Sequence, residues 1–473
     1  MKNSFFFNRA LVFILFFFLI FISIYLNQPS FPCDLNFNDN IYDLIKKCGE
    51  NADYSQYAKL SLDYYNLGYA SENNKWIESN WPLGATLIHL TSLVVFGESG
   101  KVMFIPVFLN VFFWSFFFYF LTDLLWSRNK IYNFLIILLI FFLFNSYLFK
   151  NFLFTYGTIE TNGWGSLFFT LGIILFYKKI INENVRKKNF NNFFLVSFTF
   201  FISTLFRVNL DLLIYLILIF LILKILITHI VIIFYKKKFI KFSFKFFKFD
   251  YLVLKIFFLA FLLSLPLKIY NKSIFNAKSS PAAHVNWMPS KVLYEHGGGY
   301  AVEGGGNLGC ILNPKLCEKL SSIQLEQDKK NDNGDGRVYF NHYWDQKFYM
   351  TLTISEFLNQ PLNWMYNKWI KIFPKFWFNN GLAAGATGDY NIYDKFLDFI
   401  ILIMLFYLIY KVFISKLVNL SIIVIPVLIS YLLIFNFYIM EPRYFIPLKI
   451  IILILFILVL DTSVKQIVKK NKI

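Results

Sequence analysis

Apolar runs punctuate the chain near residues 10–27, 101–125, 131–149, 163–177, 191–207, 210–230, 251–270, 395–412, 417–435 and 444–461. Each approaches the roughly 20 residues that a helix needs to cross a bilayer. A helix also satisfies its own backbone hydrogen bonds there. The pattern predicts an all-α polytopic membrane protein with about ten transmembrane helices. Two polar segments stand out, 28–100 and 271–394. In the first, DYSQYAKLSLDYYNLGYA places Tyr57, Leu60, Tyr64 and Leu67 at helical spacing. That spacing predicts an amphipathic helix lying on the membrane, with Asp53 near its start. Trp81-Pro82-Leu83-Gly84 and a short apolar stretch ending at Phe96-Gly97 follow, and they read as re-entrant. The organisation is therefore a membrane region over 1–270 that carries the first polar loop, a polar segment over 271–394 holding a few helices and long loops, and C-terminal spans with a basic tail over 395–473.

Charge fixes the orientation. The chain carries a net +18, a value that in a soluble protein would suggest nucleic acid. Its cations instead cluster between apolar runs. One cluster holds Lys178, Lys179, Arg186, Lys187 and Lys188; the next holds Lys236, Lys237, Lys238, Lys241, Lys245 and Lys248; the last holds Lys465, Lys469, Lys470 and Lys472. That is the positive-inside pattern, and it excludes a nucleic-acid partner. The first run follows Lys2 and Arg9, and no small-residue cleavage site follows Tyr25-Leu26-Asn27-Gln28. It reads as an uncleaved anchor with a cytoplasmic amino terminus. Alternation from that start puts every cluster inside and both long polar segments outside. Between Lys236 and Phe249, Lys and Phe recur at helical spacing on adjacent stripes, which predicts a helix flat in the inner interface.

With 57% hydrophobic residues, 62 of them Phe, and only 16% charged, the chain needs lipid as its solvent. All four cysteines lie in the two outward segments. Four cysteines allow three pairings; local pairs, Cys33 with Cys48 and Cys310 with Cys317, are the simplest in an oxidising compartment.

Four places carry ionisable residues where a membrane protein avoids them. Asp53 has Tyr54, Tyr57 and Asp63 nearby and could alternatively cap its helix. Glu160 lies in the short outward turn LFTYGTIETNGW. Arg207 ends the fifth run, with Asp211 one turn on and within reach of a structural ion pair. Glu441-Pro442-Arg443-Tyr444 precedes the last run. All four land on the outer face. They supply a carboxylate that can act as a base and two guanidinium groups shaped to hold a phosphate. The spans look nearly free of midplane charge, which speaks against a transporter or flippase of lipid-linked saccharides. A polymerase or ligase using the same carrier lipid is less easily separated.

In this order the residues resemble the GT-C class of membrane glycosyltransferases, which includes protein O-mannosyltransferases and the aminoarabinose transferases of lipid A. The resemblance rests on Asp53-Tyr54-Ser55-Gln56-Tyr57-Ala58, Trp81-Pro82-Leu83-Gly84, Val95-Phe96-Gly97, Glu160, Arg207, and Arg443-Tyr444 with Pro447. It covers residues 1–210 and about 435–461. It implies a sugar donor on a polyprenyl phosphate, an acceptor glycan, lipid or protein, and a bacterial inner or plasma membrane with both termini cytoplasmic. Asp53 would be the general base of an inverting transfer. Arg443 and Arg207 would hold the phosphate, helped by Glu160, Glu441, Tyr444, Tyr57 and Trp81, with Trp76, Trp81 and Tyr57 as sugar-stacking rings. The class often carries adjacent acids in the first loop. Here Tyr54 follows Asp53, so a divalent cation stays an open question.

Other motifs are weaker. EHGGGYAVEGGGNLG, Glu295 to Gly309, lacks the strand and helix of a phosphate-binding loop and reads as a flexible, substrate-gating loop. NDNGDGRVYFNH, Asn331 to His342, lacks the twelfth-position acid of a calcium loop and reads as a turn. His284, His296 and His342 share no zinc spacing. His89, in the re-entrant stretch, is a candidate for substrate contact.

Overall fold

The computed structural model describes residues 3–26, 32–49, 53–74, 77–78, 83–125, 130–155, 161–181, 190–236, 248–274, 301–302, 306–307, 358–359, 361–366, 369–370, 373–378, 392–414, 418–437 and 445–470. In chain order the helices are α1 (Asn3–Leu26), α2 (Ile41–Cys48), α3 (Asp53–Leu67), α4 (Leu83–Phe96), α5 (Phe104–Leu125), α6 (Lys130–Asn145), α7 (Thr161–Phe176), α8 (Phe190–Phe206), α9 (Val208–Lys236) and α10 (Lys248–Ile274). Short α11 (Pro361–Tyr366) and α12 (Phe373–Trp377) precede α13 (Ile392–Ile414), α14 (Val418–Phe437) and α15 (Phe445–Lys470). Every predicted apolar run falls on a helix. Among the described residues, four stretches are long and apolar enough to cross a membrane: Phe104–Leu125, Gly163–Ile181, Leu210–Ile230 and Phe249–Ile269. The chain is an α-helical, membrane-associated protein.

One departure from all-helix is a two-residue antiparallel pair, Ala301–Val302 with Gly306–Asn307, inside the glycine-rich stretch read as a flexible loop. The interfacial Lys/Phe helix, the Asn331–His342 turn, the outer histidines, Cys310 and Cys317 all fall wholly or mostly outside the described residues.

Side chains show why these helices want lipid. In α9, Leu213, Ile214, Ile217 and Leu221 are buried, while Ile219, Ile222, Leu223, Leu226, Ile227 and Ile230 are exposed. Both faces are apolar, as a helix needs when one side meets protein and the other acyl chains. Phenylalanine rings fill the α1–α5 seam, with Phe13 on Phe116 at 4.8 Å and Phe17 on Phe108 at 6.0 Å. The order of those contacts makes the two helices antiparallel.

Ion pairs join α9 to α10. Asp211, early in α9, meets Lys268, late in α10, at 2.9 Å; Lys224 near the middle of α9 meets Asp250 at the start of α10 at 2.7 Å. The crossed pairing fixes an antiparallel hairpin. Of these four charges only Lys224 lies near the middle of a span, where little midplane charge was expected; the other three lie toward helix ends. The long Lys stems let the amines reach acids on the neighbouring helix, and pairing makes charge tolerable away from water.

The described part of the first polar loop folds into a cap. Cys33 and Cys48 form the expected local disulfide. Asn40 caps α2 reciprocally with Asp43, and Lys47 pairs with buried Asp39 at 2.8 Å. The Tyr42 hydroxyl of α2 donates to Glu98 just after α4.

Candidate functional site

Asp53 is the first residue of α3. The next turns of α3 bury Ser55, Gln56, Tyr57, Ala58, Leu60 and Ser61, so the helix packs into the cap between α2 and α4. Tyr57 is 2% exposed, a ring held inside the cap and not displayed on its surface. The Ser61 hydroxyl lies 2.6 Å from the Tyr57 carbonyl and 2.9 Å from the Thr86 carbonyl, which ties α3 to α4. Asp63, read as company for Asp53, does a different job. Its carboxylate accepts from Ser71 N at 2.8 Å, Ser71 Oγ at 2.6 Å and Asn74 Nδ2 at 2.9 Å, pinning the loop that leaves α3.

Helix α4 has 14 residues, about 21 Å at 1.5 Å per residue, against a hydrocarbon core of about 30 Å. That length suits a helix that dips in and returns. Gly97 ends it in the left-handed region at φ +71, where glycine has no Cβ penalty, and its N–H donates to Leu93 O at 2.8 Å. At the other end Gly84 lies under the Phe206 ring. A Cβ there would stand 2.6 Å from that ring, so only glycine lets α4 approach α8 so closely. Phe206 is stacked in turn on Trp164 and Phe168 of α7.

Arg207 follows directly, as the single non-helical residue between α8 and α9. It is 6% exposed. Its N–H donates to Ser203 O, and its carbonyl accepts from Leu210 N, both at 3.2 Å. Its side chain starts against Gly165 of α7, where an added Cβ would lie 3.0 Å from the Arg207 Cβ. The anticipated Arg207–Asp211 pair is not formed. Asp211 pairs with Lys268, which also donates to Tyr215 Oη at 2.5 Å. The helix break at Arg207 removes the regular i, i+4 geometry on which that expectation rested.

A second ionic node escaped the sequence reading. Lys449 in α15 meets Asp398 in α13 at 2.8 Å, with side chains 0% and 1% exposed. The Lys449 amine donates to Trp377 O at 2.6 Å, and Trp377 Nε1 donates to Asp398 O at 3.0 Å. One turn back, Asp394 accepts from Tyr147 N at 2.8 Å. The signal was present: Lys449 is the lone charge in FIPLKIIILILFILVL, and Asp394 and Asp398 are four apart.

The structure thus packs α3, whose first residue is Asp53, against α4, and α4 against Phe206, the residue before Arg207. Trp81, Glu160, Glu441, Arg443 and Tyr444 lie outside the described residues. In sequence Glu160 directly precedes α7, and Arg443-Tyr444 directly precede α15. Among the described residues no three His, Cys, Asp or Glu side chains gather as a metal site. No family model matches this chain, nor does any curated protein or solved structure.

Proposed function

We propose that the protein is a GT-C-type glycosyltransferase with ten spans, acting on the outer face of a bacterial inner or plasma membrane. It would move a sugar from a polyprenyl-phosphate carrier to a glycan, lipid or protein acceptor. The observation that carries this reading is the buried Arg207, directly after the Phe206 ring that covers Gly84 of the short helix α4, with the helix that begins at Asp53 packed on α4. Buried, protein-held arginine suits a phosphate at membrane depth because its planar fork offers several donors at once.

In this mechanism the Asp53 carboxylate takes the proton of the acceptor hydroxyl. The freed oxygen attacks the anomeric carbon from the face opposite the carrier. The bond from that carbon to the phosphate oxygen breaks, the configuration inverts, and the electron pair leaves on the phosphate. Arg207 and Arg443 offset the charge that develops there.

The test is a transfer assay in reconstituted membranes with polyprenyl-phosphate sugars. Asp53→Asn should lower turnover by roughly 10²–10⁴-fold, the usual contribution of a positioned base. Full turnover in the variant removes Asp53 as base; no transfer by the wild type removes the whole reading. Lys224 near the middle of α9 favours a second reading, translocation of the lipid-linked sugar. Against it, the Lys224–Asp250 pair joins helices adjacent in sequence and serves as a lock on one hairpin. Flipping of the intact donor without transfer, measured in the same vesicles, would select translocation.

A further inference from the structure

Helix α4 buries polar as well as apolar residues on its inner side, while its exposed side is mostly apolar. Leu87, Val94, Val95 and Phe96 are exposed, whereas Thr86, His89 and Ser92, spaced three apart, are buried. Residues at this spacing stack on one face. The apolar side suits lipid, and a polar stripe is turned into the protein. Ser92 lies 3.4 Å from the carbonyl of Ile88. Thr86 Oγ1 and His89 Nδ1 have no hydrogen-bond partner among the described residues, although the two residues are 0% and 1% exposed. A buried polar atom without a partner is unfavourable and uncommon in a native fold. Two of them one turn apart, on the helix that links the α3 cap to Arg207, call for a common reason.

We propose that Thr86 and His89 form a polar subsite for a hydroxyl group of the transferred sugar, which rests on the glycosyltransferase reading above. The chemistry selects the ligand class. The threonine hydroxyl can donate or accept, and a neutral imidazole nitrogen can accept or donate according to tautomer. A sugar hydroxyl meets both needs at once. The carrier's phosphate would be served by the guanidinium of Arg207 and not by this neutral pair. The subsite therefore separates recognition of the sugar from recognition of the carrier. It also explains an inward polar stripe on a helix whose outer face, Thr91 apart, is apolar.

Binding of two sets of probes to the full-length protein in nanodiscs tests this. The first set is polyprenyl-phosphate mannose, glucose and aminoarabinose; the second is bare polyprenyl phosphate. Thr86→Val keeps the β-branched shape and removes only the hydroxyl, and His89→Leu removes the imidazole. Each should weaken the best-bound sugar-bearing probe by about tenfold, the loss expected when one hydrogen bond of roughly 1.4 kcal/mol disappears. Affinity for bare polyprenyl phosphate and the thermal midpoint of Thr86→Val should stay at wild-type values or better. His89→Gln, which restores a hydrogen-bonding end, should recover part of the loss. Wild-type affinity for sugar-bearing probes in both variants, with a lowered midpoint, means a trapped water only and overturns the subsite while leaving the transferase reading intact. Equal weakening toward bare polyprenyl phosphate also overturns it, since the residues would then serve the carrier. Failure of the wild type to bind either set brings down both readings together.

Discussion

A charged amine with no exposed surface persists in an apolar helix only where its neutralising partners are built in. Lys449 has them in Asp398 and the Trp377 carbonyl. Removing one member of a buried pair strands the other, at a cost of about 3–5 kcal/mol. Lys449→Met should therefore lower the thermal midpoint clearly in detergent. The double variant Lys449→Met/Asp398→Leu should recover most of the loss, because two apolar side chains leave no stranded charge. A double variant as unstable as the single one would show that the pair supplies more than mutual neutralisation. Individual charges were only half legible in the sequence. Asp53 and Arg207 stood out by position, but Asp63 was read only as a neighbour of Asp53 until its three donors were seen, and Lys449 was overlooked because one lysine barely dents an apolar run.

At the level of elements, helix existence followed from apolar periodicity, and helix pairing did not. Glycines in α7 set one pairing. Gly172 would place a Cβ 2.9 Å from the Phe200 ring, and Gly165 one 3.0 Å from the Arg207 Cβ. Gly172→Leu should cost about 1–3 kcal/mol through overpacking, seen as a lower thermal midpoint with the helical circular dichroism retained. An unchanged midpoint would mean that α7 and α8 are not packed through this glycine. The α2 tether is tested by pH. The Tyr42 hydrogen bond, with a second from Asn66, holds the Glu98 carboxylate below its usual range, and the same bond to Glu98 pushes the Tyr42 phenol up. A lowered carboxylate stabilises the fold above its ordinary pKa, and the contribution fades as pH falls through the lowered value. Protection of the α2 amides, corrected for the slower intrinsic exchange in acid, should therefore fall in that window in the wild type. Tyr42→Phe should remove the step; an identical profile in the variant would sink the tether.

The whole molecule tests topology and the cap. Thiol labelling of Ile240→Cys and Lys330→Cys, in a background without the native cysteines, should report opposite sides of the membrane; labelling from one side would break the proposed ten-span arrangement. The Cys33–Cys48 bridge spans 15 residues, and closing a loop of that size stabilises by about 3 kcal/mol on chain-entropy grounds. Cys33→Ala/Cys48→Ala should lower the midpoint to match reduced wild type, and no difference on reduction would mean the cap holds without it. The sequence by itself determined that the chain is helical, that its apolar surface calls for lipid, and which apolar runs become helices, and it made Cys33 with Cys48 the simplest of the open pairings. Those properties follow from composition, local spacing and loop closure, which act along the chain. Tertiary structure alone decided that Asp211 belongs to Lys268, that Asp398 holds Lys449, and that Phe206 lies over Gly84 beside Arg207. Partner choice among buried groups depends on which helix lies alongside, and between helices equally apolar on every face that depends on where a glycine allows approach or an opposite charge awaits.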